Sequence, residues 1–482
     1  MKTVVVGAGV GGLACACELA HAGHEVIVLE AGPAAGGKCG RVVRDGFTWD
    51  SGPSLLTMPW VFERLFARTG APLGDELELV RVEPVTRYRF ADGSQVELSA
   101  DLPRAVAALE EWSPGAGEDW LAFIGTCAAM WRASAPILSG PPPWPPRRPR
   151  PGDPRPNPRA LLAVRPWWTL RNLARATTRD PRLRMVIERF ATYAGADPRR
   201  APAALALAGY VEHAYGAWHP QGGLYELVLA LVRRLERLGG ELRTNTAVER
   251  VITAGDRVRG VVAADGAVRA DVVVLNGDAD VVDRDLLGRR PRRRERSLSG
   301  LALMLGLRGR TPDLAHHQIS FPADYDAEFD DVFVHRRPVR DPAIYVSAAT
   351  ASDQSAAPAG DESWFVLVNA PSVGTGADWE RAEADLIARL GVEDRIVARA
   401  RRTPADLERL TGAPGGAIYG RAPHGRLGTL RRPARAVPGL RGAWHVGGSV
   451  HPGGGLPMVA LGGMRVASEI TATGPDPAGA GR

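Results

Sequence analysis

The first thirty residues contain a strand, a glycine-rich turn, a helix and a second strand, and this βαβ unit constrains the fold of the chain. Residues 3–6 and 25–29 are apolar runs typical of buried parallel strands. Between them, Gly7, Gly9 and Gly12 form a G-x-G-x-x-G motif at the start of a helix. Such glycines permit a tight turn, close approach of a pyrophosphate to the backbone, and close packing of helix on strand. The sequence therefore predicts an α/β domain of the Rossmann type that binds phosphate at a helix N-terminus.

The residues after this unit indicate which dinucleotide it binds. Glu30 follows the second strand, where a carboxylate accepts hydrogen bonds from ribose hydroxyls and disfavours a 2′-phosphate. Gly36, Gly37 and Lys38 follow closely and extend the phosphate-binding region, as the longer FAD requires. A second G-x-G-x-x-G motif does not occur in the sequence. We therefore expect FAD as the cofactor, without a nicotinamide dinucleotide bound beside it.

Composition excludes several classes of protein. With 482 residues, 45% hydrophobic and 24% charged, the chain is long enough for several domains and is typical of globular proteins. The net charge of +6 is local, because residues 145–184 alone hold eleven Arg and two Asp. No nucleic-acid-binding motif accompanies this basic segment, so we expect no nucleic-acid partner. The longest uncharged run, residues 442–464, contains prolines and many glycines, so we expect no membrane-spanning helix.

Cysteine and histidine give no sign of a disulfide framework or a metal site. The four cysteines are Cys15, Cys17, Cys39 and Cys127. They are too few for a disulfide framework in a chain of this length, which favours a reducing cytoplasm. The adjacent His316 and His317 have no metal-ligand spacing to another His, Cys or acid, so we expect a surface pair. We predict that no metal is bound.

The pattern of the nucleotide-binding unit is interrupted twice. Short strands and amphipathic helices replace it from about residue 81, and it returns near residue 220 and again near residue 436. The predicted fold class is α/β, with a discontinuous Rossmann-like FAD-binding domain and an inserted α+β domain that faces substrate and membrane. We expect the FAD-binding domain to comprise residues 1–80, 220–285 and 436–475, and the inserted domain residues 81–219 and 286–435, with a tail at 476–482.

A proline- and arginine-rich stretch divides the inserted domain. Residues 141–158 cannot form a helix or a core, so we expect an extended, exposed loop. Residues 159–184 combine Trp167 and Trp168 with leucines and flanking arginines, a composition suited to docking on anionic lipid at a membrane surface. The alternative is a solvated arginine face with both tryptophans in the core. The residues of this segment alone support the two interpretations equally.

Three further segments give the chain a resemblance to a known family. They are residues 189–195 (Arg-Phe-Ala-Thr-Tyr-Ala-Gly), 212–223 (ending Trp-His-Pro-Gln-Gly-Gly) and 446–458 (Val-Gly-Gly-Ser-Val-His-Pro-Gly-Gly-Gly-Leu-Pro-Met). With these segments, the chain resembles the bacterial phytoene desaturases of the carotenoid desaturase family over nearly its whole length. That family is part of the wider group of flavin enzymes that includes amine oxidases and protoporphyrinogen oxidase. The Gly-Gly-Lys run and residues 321–329 look closest to members that act on acyclic or hydroxylated carotenoids.

The resemblance implies where FAD lies. It places pyrophosphate at the first glycine motif, the adenosine ribose at Glu30, a phosphate at Lys38 and the adenine at Val248. Family members more often have Arg where Lys38 stands, and lysine cannot make the bidentate contact. The full set of expected cofactor contacts is Gly7, Gly9, Gly11, Gly12, Glu30, Gly37, Lys38, Val248, Gly447, Gly448, Pro457 and Met458.

The residues near the C-terminal glycines also favour a flavin at this position. The resemblance places the flavin near Gly447 and Gly448. Glycines at 453–455 permit close approach of the backbone to a flat ring. Pro457 is suited to the first turn of a helix whose positive end can face the flavin.

The reaction implied by the resemblance is the desaturation of a C40 polyene. A hydride leaves an allylic carbon for FAD while a proton leaves the neighbouring carbon. Such a substrate resides in the bilayer, which favours membrane docking and a cytoplasmic enzyme peripherally associated with the membrane. A quinone or oxygen is the expected electron acceptor. Glu212 and His451 are the candidate bases, although pairing with an arginine and capping of a turn are the simpler interpretations of these two residues.

Three alternatives stay open at this stage. One is an oxidase of amines or porphyrinogens, whose sites usually place an aromatic cage beside the flavin, where this chain has glycines and His451. Another is a carotenoid isomerase or saturase, which uses the same flavin chemistry without net oxidation. The third is a non-catalytic flavoprotein that binds lipid or a partner through the proline- and arginine-rich segment. It predicts a bound flavin that no polyene reduces.

Overall fold

The computed structural model describes residues 1–140, 160–290, 294–373 and 376–473. Within these ranges the strands are β1 (Lys2–Val6), β2 (Glu25–Leu29), β3 (Arg41–Arg44), β4 (Phe47–Asp50), β5 (Leu79–Val82), β6 (Thr86–Arg89), β7 (Gln95–Leu98), β8 (Ala217–Pro220), β9 (Glu241–Arg243), β10 (Val248–Ala254), β11 (Arg257–Ala263), β12 (Gly266–Arg269), β13 (Val272–Leu275), β14 (Ser299–Leu307), β15 (His317–Ser320), β16 (Ile344–Ala348), β17 (Glu362–Ala370), β18 (Ile396–Arg402) and β19 (Ala443–His445). The α-helices are α1 (Val10–His21), α2 (Trp60–Arg68), α3 (Leu102–Trp112), α4 (Ala116–Ser139), α5 (Leu170–Thr177), α6 (Pro181–Arg189), α7 (Leu207–Tyr215), α8 (Tyr225–Arg237), α9 (Ala279–Asp285), α10 (Tyr325–Phe329), α11 (Trp379–Leu390), α12 (Pro404–Thr411) and α13 (Leu456–Thr473).

A parallel sheet joins three distant parts of the sequence. Its order is β19-β13-β1-β2-β9, and every neighbouring pair is parallel. On one face, Val5 and Val28 pack against α1, α8 and α13. On the other, Val4 and Ile27 pack against the antiparallel sheet β10-β11-β12. Because both faces are covered, the strands are continuous apolar runs, as the sequence showed. The Rossmann-type α/β fold is therefore confirmed, whereas the predicted domain boundaries stay a prediction.

A second, mixed sheet has the order β18-β14-β17-β16-β15-β6-β7. One of its faces, which includes Leu303 and Leu305, packs against α11. The opposite face, which includes Met304, packs against Phe47 and Trp49 of β4. Because the β3–β4 hairpin directly follows the glycine-rich segments, this opposite face is turned toward the parallel sheet domain. We call it the inner face of the mixed sheet.

Helices α3 to α7 cover the β6–β7 end of the mixed sheet. Phe123 of α4, Leu173 of α5 and Ile187 of α6 form one buried cluster with Tyr88 and Phe321. Residues 81–219 and 286–435 therefore contribute to one packed unit. Helices α3 to α7 therefore lie beside the inner face, at the β6–β7 end of the mixed sheet.

Helix α4 is, within the described ranges, long and apolar enough to cross a membrane by length and composition alone. This helix is not evident from the sequence, because Glu118, Asp119 and Arg132 interrupt its apolar run. A third of its apolar window (33%) is buried, and Trp120 and Phe123 lie in the helical core. A core helix meets the same criterion, so the composition of α4 is explained in part by its packing.

The two adjacent histidines are buried, and the expectation of a surface pair was wrong. His316 is 3% exposed and His317 is 1% exposed. His317 begins β15, which is hydrogen-bonded to β16 on one side and to β6 on the other. A strand of four residues is too short for its sequence to show which residues face the core. The four cysteines are free and buried.

The segment considered for membrane docking is only partly exposed. Residues 141–158, together with Arg159, lie outside the described residues. Trp167 is 51% exposed and Leu162 is 58% exposed, and the Arg165 guanidinium lies 4.6 Å from the centre of the Trp168 ring. From α5 onward, in contrast, Leu170 and the other apolar residues belong to the helical core.

The packing of α13 on α1 generates a test of the fold. A Cβ atom at Gly463 of α13 would press against the carbonyl oxygen of Gly11 and lie 3.0 Å from the backbone nitrogen of Cys15. We expect Gly463→Ala to lower the free energy of unfolding by about 1–3 kcal/mol, the usual cost of overpacking. A Cβ atom at Gly125 of α4 would meet no neighbouring atom of the described chain within 4 Å. Gly125→Ala should therefore raise the free energy of unfolding by up to about 1 kcal/mol. Urea unfolding measures both variants, and equal midpoints would contradict this packing.

Candidate active site

The site begins at the glycine turn between β1 and α1. Gly7 has a φ of 95°, a conformation that favours glycine. Gly9 caps α1 without any side-chain hydrogen bond, and the first turn of the helix carries no acidic residue. A Cβ atom at Gly12 would lie 2.6 Å from the carbonyl oxygen of Gly7. The helix N-terminus is therefore open to an anion, and its amide groups and dipole favour a phosphate there.

Asn276 fixes this glycine turn, and the sequence analysis did not identify it. It directly follows β13, and its side-chain Nδ2 donates hydrogen bonds to the carbonyl oxygens of Gly7 (2.9 Å) and Gly9 (3.2 Å). Its Oδ1 lies 3.0 Å from the position of a Cβ atom on Gly447, which follows β19. The carboxyl ends of neighbouring parallel strands meet at one edge, so a polar residue directly after a predicted buried strand was the available signal.

Glu30 stands at the end of β2 as predicted, with its carboxylate already oriented. Oε2 accepts a hydrogen bond from the backbone nitrogen of Ala8 (2.7 Å), and Oε1 accepts one from that of Gly32 (2.9 Å). The backbone nitrogen of Thr246 donates to the Glu30 carbonyl oxygen (2.8 Å), which brings the start of β10 at Val248 near this carboxylate. Each carboxylate oxygen has a further lone pair, and a ribose hydroxyl can donate to it.

The second glycine pair packs against the first. The backbone nitrogen of Gly36 donates to the carbonyl oxygen of Ala8 (2.8 Å), and a Cβ atom on Gly37 would lie 3.6 Å from the Cα of Gly9. The ammonium of Lys38 donates to the backbone carbonyl oxygens of Ala417 (3.1 Å) and Ile418 (2.6 Å). An ammonium has three donors, so one is left for a phosphate. Burial lowers the pKa of Lys38 to about 8, and Asp278 opposes this shift.

The C-terminal glycine segment forms the other end of the site. The Gly448 carbonyl oxygen accepts a hydrogen bond from the Arg432 guanidinium (2.9 Å), which also lies 3.4 Å from a Cβ position on Gly453. A Cβ atom on Gly454 would lie 2.6 Å from the ring of Tyr419. Burial lowers the pKa of Arg432 to about 10, with Tyr419 opposing. Arg432 lies outside every sequence motif used above, and only the fold brings it to this segment.

Helix α13 begins directly after these glycines. Pro457 is its second residue, which confirms the expected position in the first turn, and Met458 follows it. The backbone oxygen of Val459 lies 3.2 Å from a Cβ position on Gly11. The start of α13 therefore lies beside the start of α1, and both helix N-termini belong to the same site.

Both candidate bases are held by hydrogen bonds. Tyr193 donates a hydrogen bond to Glu212 Oε1 (2.6 Å) and accepts one from the Arg189 guanidinium (2.9 Å). Glu212 is thus linked to Arg189 through Tyr193, an arrangement similar to the expected direct pairing of its carboxylate with an arginine. Nε2 of His451 is 3.0 Å from the carbonyl oxygen of Ile137 near the end of α4. Burial and the nearby Arg435 lower the pKa of His451 to about 4, so His451 is neutral and donates to this carbonyl.

These residues fit FAD. The helix N-terminus is uncapped, and Cβ atoms at Gly7, Gly9 and Gly12 would press against Asn276 and distort the turn in front of it. Glu30 is oriented at the end of β2, and Lys38 and Arg432 supply positive charge near the glycine segments. Burial raises the pKa of Tyr419 to about 12, and its ring lies against Gly454 of the C-terminal glycine segment. No group of metal-ligating side chains occurs in the described ranges.

The inner face of the mixed sheet lies across from this site. The Tyr345 hydroxyl is 2.6 Å from Oγ of Ser54, which follows β4. The Arg402 guanidinium donates to the Ser51 carbonyl oxygen (2.6 Å). Together with the Lys38 bonds, these contacts join the two domains around the site. The arrangement can bind a dinucleotide on one side and an apolar substrate on the other.

Comparison with known proteins also indicates an FAD-dependent oxidoreductase. Residues 10–303 match the family model of flavin-containing amine oxidoreductases, and residues 162–468 match that of FAD-dependent oxidoreductases. The chain is 34% identical to a zeta-carotene-forming phytoene desaturase from Myxococcus xanthus, covering 95% of this chain and 92% of that protein. It is 34% identical to a hydroxyneurosporene desaturase from Rubrivivax gelatinosus, covering 98% and 93%. The crystal structure of an oxidoreductase from Methanosarcina mazei matches with a TM-score of 0.64 and 18% identity, covering 97% of this chain and 100% of that chain.

The orientation of Glu30 predicts its effect on cofactor affinity. Glu30→Gln places an amide group opposite the backbone N–H of either Ala8 or Gly32, both of which are donors. We expect the dissociation constant for FAD to rise at least about tenfold, because a hydrogen bond to a charged group contributes roughly 1.5–3 kcal/mol. Glu25→Gln, at the other end of β2, is the matched control because that side chain is 65% exposed. Fluorescence titration with FAD measures both, and equal constants would contradict the role of Glu30.

Lys38 predicts a pH dependence of FAD binding. Its lowered pKa means that the ammonium is charged below about pH 8 and loses its charge as the pH rises through that value. If it contacts a phosphate, FAD affinity is highest below pH 8 and falls toward pH 9.5. Lys38→Met should bind FAD more weakly at pH 7 and should show no such fall. Titrations at pH 7 and pH 9.5 measure this, and the same pH dependence in both proteins would place the phosphate elsewhere.

Proposed function

The chain belongs to the carotenoid desaturase family of FAD-dependent oxidoreductases, and from this premise we propose that it desaturates an acyclic or hydroxylated C40 carotenoid. The observation that carries the proposal is the 34% identity, over 95% of the chain, to a zeta-carotene-forming phytoene desaturase. The residues around the glycine motifs support it because they fit FAD. The sequence prediction of an FAD-dependent oxidoreductase of this family is confirmed.

The chemistry is an oxidation of the substrate by two electrons. When bound, FAD accepts a hydride from a C–H bond of the substrate. The protein holds the dinucleotide at the N-termini of α1 and α13, fixes the glycine turn through Asn276, and closes the other side with the inner face of the mixed sheet. Its residues therefore position a C–H bond and exclude water from the reacting carbons.

The substrate class follows from the family, and its end group is a finer proposal. Relatives that match this chain over nearly their whole length include a phytoene desaturase and a hydroxyneurosporene desaturase. The substrate is therefore a hydrophobic polyene. We propose that an acyclic carotenoid, with or without a hydroxyl group at its end, occupies the space between the inner face and FAD.

We further propose that the enzyme is cytoplasmic and docks on the membrane surface without spanning the membrane. A long polyene dissolves in the bilayer, so a docked enzyme can take it up directly. The proposal is supported by the exposed Leu162 and Trp167 and by the adjacent Arg165. Two arginines of this segment do not contribute, because Arg171 pairs with Glu188 and Arg182 pairs with Asp180. Among the described residues of this segment, the large apolar side chains exposed for docking lie within residues 162–168. For the electron acceptor, we propose a membrane quinone or oxygen.

The function is tested by the anaerobic visible spectrum of the purified holoenzyme mixed with liposomes that carry an acyclic carotene. We expect the flavin band to bleach while the polyene absorption shifts to longer wavelength, because the product has a longer conjugated system. Bleaching by amines alone would identify an amine oxidase instead. A rearranged polyene without net bleaching would identify an isomerase.

The docking proposal predicts a loss of liposome binding. The double variant Leu162→Ser/Trp167→Ser should reduce co-sedimentation with anionic liposomes at least about fivefold, since each exposed apolar side chain contributes on the order of 1 kcal/mol or more on burial in lipid. Leu410→Ser is the matched control because Leu410 is 53% exposed on α12. An unchanged bound fraction for the double variant would place the membrane contact on another surface.

A further inference from the structure

A hydrogen-bonded chain beside the site ends in a buried imidazole. Nδ1 of His317 is 2.8 Å from the Tyr345 hydroxyl, which is 2.6 Å from Oγ of Ser54. His317 is 1% exposed. Its Nε2 is buried and has no hydrogen-bond partner in the described part of the chain. The imidazole is therefore anchored at one nitrogen and unused at the other.

The position of this chain in the fold relates it to the reaction. Tyr345 lies on β16 and His317 on β15, so both belong to the mixed sheet that faces the FAD-binding domain. Ser54 lies in the loop between β4 and α2, close in sequence to Ser51, whose carbonyl oxygen accepts a hydrogen bond from Arg402. Ser54, Tyr345 and His317 thus extend from the FAD-binding side of the site to the sheet.

The surroundings of His317 keep it uncharged. The groups that face it are the rings of Tyr345 and His316, the second at 4.4 Å between centroids, and beyond them His219 and the Arg189 guanidinium. Burial lowers the pKa of His317 to about 3, and His219 and Arg189 act in the same direction. The imidazole is neutral at physiological pH and carries one N–H.

The hydrogen bonds select which nitrogen is protonated. If Nδ1–H donates to Tyr345, the tyrosine hydroxyl donates to Ser54 and Nε2 keeps a free lone pair. The other tautomer would leave a buried Nε2–H without an acceptor, and orphaned buried N–H groups are rare in folded proteins. Tyr345 therefore fixes His317 in the form that can accept a proton, as the orienting group of a catalytic base does.

We propose that His317 is the general base of the desaturation and takes the substrate proton at Nε2. This inference rests on the proposed function. When FAD is bound, it takes a hydride (a hydrogen with both bonding electrons) from one C–H bond of the substrate and is thereby reduced. The C–H bond on the neighbouring carbon breaks heterolytically, its electron pair becomes the new C=C bond, and its proton forms the N–H bond on Nε2. The carotenoid is oxidised by two electrons, and the proton returns to solvent before the next turnover.

A weak base is sufficient for this step. Loss of hydride leaves the carbon that carried it electron-deficient, which makes the C–H bond on the neighbouring carbon strongly acidic. An imidazole with so low a pKa is unprotonated at neutral pH, so it is ready to accept a proton. Glu212 accepts a hydrogen bond from Tyr193 and His451 is held through Nε2 by the Ile137 carbonyl oxygen, whereas the Nε2 atom of His317 has no partner in the described part of the chain.

Turnover of three variants tests the proposal. His317→Gln should lower kcat by about 10²–10⁴-fold, the usual contribution of a general base, with KM for the carotenoid unchanged. Tyr345→Phe keeps the ring and removes the tautomer lock, and should lower kcat about tenfold. His316→Gln, which changes the adjacent buried histidine outside the hydrogen-bonded chain, should change kcat less than threefold. FAD content and the midpoint of urea unfolding show whether each variant is folded.

A measurement without cofactor or substrate gives an independent result. In the apoprotein labelled with [¹⁵N]histidine, the signals absent from the His317→Gln spectrum should show a protonated Nδ1 and an unprotonated Nε2 from pH 5 to pH 8. In Tyr345→Phe the two tautomers should mix. A protonated Nε2 in this range would overturn the proposal.

The kinetic results distinguish a failure of the proposed role of His317 from a failure of the proposed function. A folded His317→Gln variant that desaturates the carotenoid at the wild-type rate overturns the role of His317 and leaves the proposed function in place. A wild-type enzyme that binds FAD but oxidises no carotenoid overturns the proposed function itself. In that case the base assignment falls with it, whatever tautomer the spectrum shows.

Discussion

The hydrogen bonds from Asn276 to the glycine turn are the interaction on which the site depends. One amide group contacts the carbonyl oxygens of Gly7 and Gly9 and stands against Gly447. It thereby links the carboxyl ends of β1, β13 and β19, which come from three distant parts of the sequence. With this turn fixed, the N-termini of α1 and α13 are held side by side, and the position of the dinucleotide follows from them.

The second constraint is the contact between the two domains. Lys38 reaches the carbonyl oxygens of residues 417 and 418, Arg402 reaches that of Ser51, and Tyr345 reaches the Ser54 hydroxyl. Each bond joins a residue next to the glycine motifs to the inserted domain. They fix the width of the space between the FAD site and the inner face of the mixed sheet, in which the substrate would lie. Because FAD supplies the redox chemistry when bound, such positioning is a main contribution of the protein.

The sequence predicted the local parts of the site and missed the long-range ones. The βαβ unit could be read because its turn, helix and strands are contiguous, and Glu30 lies at the expected strand end. Asn276 and Arg432 were missed because each acts on a segment that only the fold brings near. His316 and His317 were expected on the surface, since a four-residue strand has no readable periodicity. The apolar helix α4 was overlooked because three charges interrupt its run, two of them in its first turn.

The most direct test of the account is an electron-density map of the protein with FAD bound. The account predicts the pyrophosphate on the backbone amides at the start of α1, the ribose on Glu30, and the flavin ring between residues 447–455 and the inner face that carries Tyr345 and His317. A flavin ring bound away from that face would contradict it, because no C–H bond of a substrate held there could reach both the flavin and His317.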